Sequence, residues 1–263
     1  MKSILITGAY GGMGKETAEL LANKGFKVFA LDRNIGEEKE NIISVKADLC
    51  NKDDIENAFE EIKKHTDELY AIIHFAGVYM LDSLVELSSE SFEKAFEINV
   101  FAAAKINKTF LPLLKKGSRI IITTSELASL DPLPFTGLYA VTKSALDKYA
   151  YSLKMELQLL DIKVSVLRAG AVKTDMLGVS TNALDNFVKN TKLYSCNAKR
   201  FKAIVEGVEA RSVPAEKIAI KISKILGAKK PRFAYKINRN PLLLLLNAMP
   251  KGFQFWIIKK ILK

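Results

Sequence analysis

The chain has 263 residues, 49% hydrophobic and 26% charged, which suits one globular domain with ample core and excludes a disordered or fibrous polypeptide. Its net charge of +11 invites a nucleic-acid partner. However, nine Lys/Arg and no acidic residue fall between Lys229 and Lys263, so the excess belongs to the C-terminal tail, and no nucleic-acid motif accompanies it. Cys50 and Cys196 form no framework, and no apolar window approaches the ~18–20 residues of a spanning helix. A reduced, cytoplasmic setting is expected, because MKSILITG enters a glycine loop at once instead of forming a signal peptide.

Six short runs rich in Ile and Val follow one another as predicted strands: 3–7, 27–31, 42–45, 70–75, 119–124 and 163–167. Their near-continuous apolarity predicts parallel strands covered on both faces. Amphipathic helices lie between them. One starts at Asn51 as N-cap and carries Ile55, Ala58, Phe59 and Ile62 on one stripe. Beyond Asp175 the pattern turns helical, with one short candidate strand near RFAYKI. The expected fold is α/β, a doubly wound, Rossmann-type parallel sheet in a single domain, 1–263. Residues 1–175 form its cofactor-binding and catalytic core, and 176–263 a helical substrate lid and basic, apolar tail.

Directly after the first strand comes TGAYGGMG, then a helix. Glycines there permit a tight turn and close approach to phosphate, while the helix N-terminus offers free N–H groups and a positive dipole end. Asp32 closes the second strand, where a carboxylate accepts ribose hydroxyls and repels a 2′-phosphate, favouring NAD. Arg33 beside it offers a clamp for that phosphate, so NADP stays open. Asp and Arg are also ordinary turn residues, and Asp48 and Leu49 after the third strand can be read as a polar turn. In LYAVTK, Tyr139 and Lys143 stand four residues apart, on one face of a helix.

Taken together these residues resemble the short-chain dehydrogenases/reductases. Gly8, Gly12 and Gly14 match that family's T-G-x-x-x-G-x-G loop, and Asp48–Leu49 looks like its adenine-contacting pair. Asn99 matches its active-site asparagine, and Tyr139 with Lys143 its Y-x-x-x-K. The match runs in order from Lys2 to Thr174, and PFTGLYAVTKSALDKYA with the tail looks closest to the steroid and retinol dehydrogenase branch. The resemblance implies catalytic roles for Asn99, Ser125, Tyr139 and Lys143. It places Met13, Ala76, Gly77, Val172 and Thr174 along the cofactor, with Lys143 on the nicotinamide ribose and Thr174 on the carboxamide. It also implies a homo-oligomer.

Carbonyl reduction needs a proton donor at oxygen, and oxidation needs a base. An ammonium about 5 Å from the phenol, at an effective dielectric of ~20, favours phenolate by roughly 3 kcal/mol, about two pKa units. The serine is less regular. Ser125 stands fourteen residues before Tyr139, whereas the family's serine usually stands thirteen before, where this chain has Glu126. An ionised carboxylate donates no hydrogen bond, so Ser125 is expected to act, with one extra residue absorbed around LDPLP. The family's N-N-A-G is HFAG here and its P-G is Ala169–Gly170. Phe75 cannot make the asparagine's bonds, so the fourth strand must be braced otherwise. Neither His65 nor His74 belongs to a metal pattern, and no metal is expected.

The lid region is rich in Leu, Val, Phe and Ala, which suggests a lipophilic secondary alcohol or ketone, steroid- or retinoid-like. The alternatives are a non-catalytic dinucleotide sensor on the same fold and an NADP(H)-dependent carbonyl reductase. In the tail, Leu242–Leu246 is apolar all round, and Phe253, Phe255, Trp256, Ile257, Ile258, Ile261 and Leu262 alternate with Lys251, Lys259, Lys260 and Lys263. That pattern fits packing on its own subunit or on a twin, and equally a peripheral membrane contact.

Overall fold

Each β-branched run becomes a strand. The structure, a computed structural model, describes residues 1–36 and 39–263, with backbone alone at 175–182 and 209. In chain order the strands are β1 (Ser3–Thr7), β2 (Lys27–Asp32), β3 (Ile42–Lys46), β4 (Leu69–His74), β5 (Leu114–Ser125), β6 (Lys163–Ala169), β7 (Val172–Lys173), β8 (Val213–Pro214) and β9 (Ala234–Ile237). Seven of them form one parallel sheet in the order β3-β2-β1-β4-β5-β6-β9, and β7 pairs with β8 alone. The candidate strand near RFAYKI is thus the seventh, at one edge.

The helices are α1 (Gly12–Asn23), α2 (Lys52–Lys63), α3 (Ser89–Phe96), α4 (Ala102–Phe110), α5 (Gly137–Leu157), α6 (Asp175–Asn190), α7 (Ser195–Glu209), α8 (Ala215–Gly227), α9 (Pro241–Asn247) and α10 (Lys251–Leu262). Period-2 strand geometry sends Leu5 to one side of the sheet and Ile4 and Ile6 to the other. The first side packs on Ile55, Ile106 and Leu146 of α2, α4 and α5; the second packs on Leu21 and Ile222 of α1 and α8. Asn51 caps α2 as expected, its Oδ1 accepting from Asp53 N at 2.9 Å, and Ile55, Ala58 and Ile62 are buried, with Phe59 half-buried. A third apolar cluster, with Leu184, Phe187, Phe201 and Leu262, lies among α6, α7 and α10. The expected lid from Met176 begins within the backbone-only stretch. No described helix is long and apolar enough to cross a membrane.

Strand β5 starts five residues before its expected Arg119. Its polar opening, Lys115 to Ser118, turns through Gly117 at φ +93°, and Ser118 Oγ donates to Leu69 O at 2.7 Å. The pairing with β4 is irregular there. Hydropathy does not mark such a stretch, because hydrogen bonding rather than apolar burial holds it.

The end of β4, which lacks the family's asparagine, is braced by a buried polar chain. His74 Nε2 lies 2.9 Å from Asn107 Oδ1 and its Nδ1 3.3 Å from Thr7 Oγ1, while Asn107 Nδ2 donates to Tyr149 Oη at 3.2 Å. An amide oxygen only accepts, so Nε2 carries the proton and Thr7 donates to Nδ1. The chain ties β1 and β4 to α4 and α5. Burial pushes the His74 imidazole down to about 4. Because the folded pKa lies below the unfolded value of about 6.5, this group's contribution to stability is full above pH ~6.5 and drains away as pH falls toward 4. We expect it to remove about 3 kcal/mol over that window and His74→Asn to lack this share of the acid slope. Denaturant titrations of both proteins between pH 7 and 4 check this, and identical slopes would refute it.

Candidate active site

Parallel strands bring their carboxyl ends to one edge of the sheet, and the chemistry gathers there. The loop between β1 and α1 tolerates only glycine at two points. Gly8 sits at φ +67°, where a β-carbon would lie 2.6 Å from Ala76 N, and a β-carbon on Gly14 would collide with Gly8 O. Gly12 rests on the Thr174 side chain, 2.7 Å from where its β-carbon would be. Gly11 is the N-cap of helix α1, which has no side-chain cap and no acid in its first turn. The first-turn N–H groups of Gly12, Met13 and Gly14 therefore have no intrahelical partner, and they form a cradle suited to the phosphates of a dinucleotide.

At the end of β2, the Asp32 carboxylate accepts from Tyr10 N at 3.0 Å and Asn34 N at 3.2 Å, while Arg33 is exposed. Ala47 N donates to Asp32 O, which brings the Asp48 turn alongside. Asp48 Oδ1 accepts from Cys50 N at 2.9 Å, and Leu49 is buried in the core beside α2. Sequence reasoning passed over Tyr10, whose ring covers Gly36 and whose hydroxyl bonds Ser44 Oγ. It was one of the free positions of the glycine loop and gave no signal of its own.

Asn99 lies in a five-residue π-helical turn, Glu97–Phe101, a local irregularity that recurs at functional sites. Its Oδ1 accepts from Val78 N at 2.7 Å, and its Nδ2 donates to Val78 O and to Thr142 Oγ1, each at 3.0 Å. Gly77 follows β4, and a β-carbon there would lie 3.0 Å from Asn99 Oδ1 and 3.2 Å from Lys143 Nζ. The missing side chain leaves space for both. Thr142, on the turn of α5 between Tyr139 and Lys143, carried no sequence signal.

Helix α5 holds Tyr139 and Lys143 on one face, with Lys143 Nζ 5.7 Å from the Tyr139 ring centre and 3.5 Å from Thr123 O. Tyr79 meets the Tyr139 ring edge-on, centroids 4.7 Å apart. Ser125 ends β5, its hydroxyl set toward the Tyr139 phenol and accepting from Leu127 N at 3.2 Å. Burial pushes the Tyr139 phenol up to about 12, with the Ser125 bond opposing it, and pushes the Lys143 amine down to about 8. The lowering of the phenol expected from the ammonium is not found, and the shift runs the other way. Spacing along a helix fixes a distance, but withdrawal from water acts on both groups against their charged forms.

Glu126, the next residue, turns elsewhere. Its Oε2 accepts from Asn240 N at 2.8 Å, at the cap of α9, and burial raises its carboxyl above the usual range, offset by that N–H and by Arg239 nearby. The loop from Glu126 to Tyr139 passes through Phe135 at φ +66°, directly after LDPLP. Phe135 is pinned there by ring contacts with Phe187, Tyr194 and Phe201 at 4.8, 5.2 and 5.3 Å.

Met13, Gly77, Ser125, Tyr139, Lys143, Val172 and Thr174 line one cavity of about 180 Å³. Ala76 packs just behind it, and Asp32, Arg33, Asp48 and Leu49 do not line it. Leu133, Phe201, Ile204, Val208 and Leu243 line both this cavity and a larger apolar chamber of about 600 Å³ beneath α9 and α10. Among the described residues no cluster of His, Cys, Asp and Glu is arranged to hold a metal.

Comparison with known proteins places this geometry. The chain is 26% identical to the 3-ketodihydrosphingosine reductase of Bacteroides thetaiotaomicron, over 95% of its own length and 92% of the relative's. It is 30% identical to estradiol 17-beta-dehydrogenase 2 of Mus musculus, over 72% of this chain and 55% of that one. The crystal structure of a short chain dehydrogenase family protein from Francisella tularensis superposes with a TM-score of 0.75 at 26% identity, covering 90% of this chain and 97% of the other. The family profile described as short chain dehydrogenase matches residues 2–185, and the chain belongs to that family of oxidoreductases.

Proposed function

We propose that the protein transfers hydride between NAD(H) and a lipophilic secondary alcohol or ketone, with Tyr139 as the acid and base. The observation that carries this reading is the meeting of buried Ser125 and Lys143 with Tyr139 on the wall of one cavity. The nicotinamide would supply or accept the hydride. In reduction, Ser125 orients the substrate oxygen and Tyr139 gives it a proton; in oxidation the proton returns to Tyr139. A phenol pushed up to about 12 is protonated at neutral pH, ready to act as the acid. Lys143 and Asn99 stand beside side-chain-free Gly77, where the amine can reach a ribose and stabilise the phenolate as it forms. The uncapped start of α1 suits the pyrophosphate, and Val172 and Thr174 lie at the nicotinamide end. Asp32, with Asp48 and Leu49 beyond it, suits the adenosine half and favours NAD over NADP.

The apolar chamber beyond Ser125 supports a lipophilic substrate, and two relatives are named for such compounds, 3-ketodihydrosphingosine and estradiol. A sensor that binds the dinucleotide without chemistry would not require Ser125, Tyr139 and Lys143 gathered on one cavity wall. The π-helical turn before α4 exposes Phe101, and α5 exposes Val141, Tyr151 and Met155, apolar surface suited to a homo-oligomer.

Tyr139→Phe removes the transferable proton but little volume, so turnover with NADH and a hydrophobic ketone should fall at least ~100-fold with NADH affinity nearly unchanged. Near-normal turnover would refute the mechanism.

Ser125→Ala should lower kcat more than Glu126→Ala, because losing a preorganised donor costs about 2.7–4 kcal/mol of transition-state stabilisation. Parallel steady-state kinetics of the two variants decide it, and the reverse order would move the serine role by one residue.

Asp32→Ala should relax discrimination against NADPH, since it removes the repelling charge and leaves Arg33 exposed. The ratio of kcat/KM for NADH and NADPH measures it, and a wild-type preference for NADPH would overturn the cofactor assignment.

A further inference from the structure

Helix α10 is half-spent on its own subunit. Gln254 and Leu262 are buried, Gln254 Nε2 donating to Met249 O at 2.8 Å, and Asn197 Nδ2 on α7 donates to Leu262 O at 2.7 Å. The remaining faces carry Phe255 at 68% exposure, Trp256 at 55% and Phe253, whose ring stacks on Trp256 with centroids 5.6 Å apart. Exposed Lys259, Lys260 and Lys263 flank them, and none forms an ion pair with a described residue. No acidic residue follows Glu216 in the chain. Large aromatic groups beside unpaired lysines match the interfacial zone of an anionic bilayer, where rings enter the headgroup boundary and ammonium groups meet lipid phosphates.

A second copy fits this face poorly. A two-fold contact sets the same patch against itself, and α10 brings no acid of its own to balance the lysines of the other copy, the one acid beside it, Asp131, being paired already with Lys251. Separate apolar residues on α5, Val141, Tyr151 and Met155, are available for self-association.

The chamber opens here as well. Leu242 and Leu245 of α9 and Ile261 of α10 line the chamber and are also exposed, so its rim reaches solvent alongside the helix that carries the aromatic and basic residues. We infer that α9 and α10 dock the protein on an anionic lipid surface and that the chamber behind them admits a lipid substrate from the bilayer to Ser125 and Tyr139. The docking stands independently of the reaction; the entry route rests on the lipophilic-substrate reading above.

Trp256 is the chain's single tryptophan, so its emission reports on this face alone. Full-length protein should pellet with phosphatidylcholine vesicles containing phosphatidylglycerol at low salt. Trp256 emission should shift to the blue and be quenched by brominated lipid, and binding should weaken as salt is raised. The double variant Lys259→Glu/Lys260→Glu should lose at least ~10-fold in partitioning, and Phe255→Glu should lose pelleting. Both should keep wild-type turnover of a water-soluble ketone but lose turnover of a long-chain ketone presented in vesicles. Absence of pelleting and of any emission change on anionic vesicles at low salt overturns the docking. So does binding to pure phosphatidylcholine of equal strength and without salt dependence. Vesicle-free, concentration-dependent dimerisation that Phe255→Glu abolishes would assign the face to a twin and overturn it too. Vesicle binding with equal loss of both ketone activities would overturn the entry route alone, and absence of turnover on any ketone would count against the proposed reaction and not against the docking.

Discussion

A phenol and an amine lie one helical turn apart, both removed from water, and neither takes its charged form cheaply there. Much of the surrounding architecture keeps this pair in place. The end of β5 brings Ser125 to the phenol, the carbonyl of Thr123 faces the amine, and Gly77 leaves the gap into which the amine extends. The π-helical turn at Asn99 is bolted to the backbone of Val78 and, through Thr142, to the same helix. Such a pair holds its proton until an entering charge changes the balance. Protonation of the pair is therefore coupled to whatever binds beside it.

Much of the fold was legible because parallel strands buried on both faces must be apolar along their length. β1, β2, β3, β4 and β6 begin or end within two residues of the β-branched runs that mark them. The opening of β5 was not legible, since Gly117 and a hydroxyl bond, not burial, hold it. The bracing of β4 was legible only as a need. Its partners, Thr7 and Asn107, lie 67 and 33 residues from His74, and no local pattern links them.

The site divides in the same way. Residues on regular elements, the glycine loop and the Tyr139–Lys143 face, could be located by counting. The hydroxyl at the end of β5 could not, because its register depends on a loop that bends through a left-handed Phe135, whose ring contacts come from the lid helices. Electrostatics were misjudged for a related reason: separation can be counted from a sequence, but the polarity of the medium depends on distant side chains that close over the pair. Glu126, anomalous as a number in a spacing rule, acquires a physical role as the acceptor that fastens the cap of α9 to the end of β5.

The placement of β9 has a consequence for how this architecture can diversify. β6 and β9 are neighbours in the sheet, yet residues 170–233 run between them, so α6, α7 and α8 form one long crossover between two adjacent parallel strands. The register Val166 to Ala169 against Ala234 to Ile237 is set by backbone pairing alone and is indifferent to the length of the excursion. Loop-closure entropy rises only logarithmically with that length. The part of this excursion that walls one side of the apolar chamber, α7, can therefore lengthen or shorten while the carboxyl edge of the sheet keeps its geometry. On this scaffold, the shape of that wall is mechanically decoupled from the sheet edge that holds Ser125.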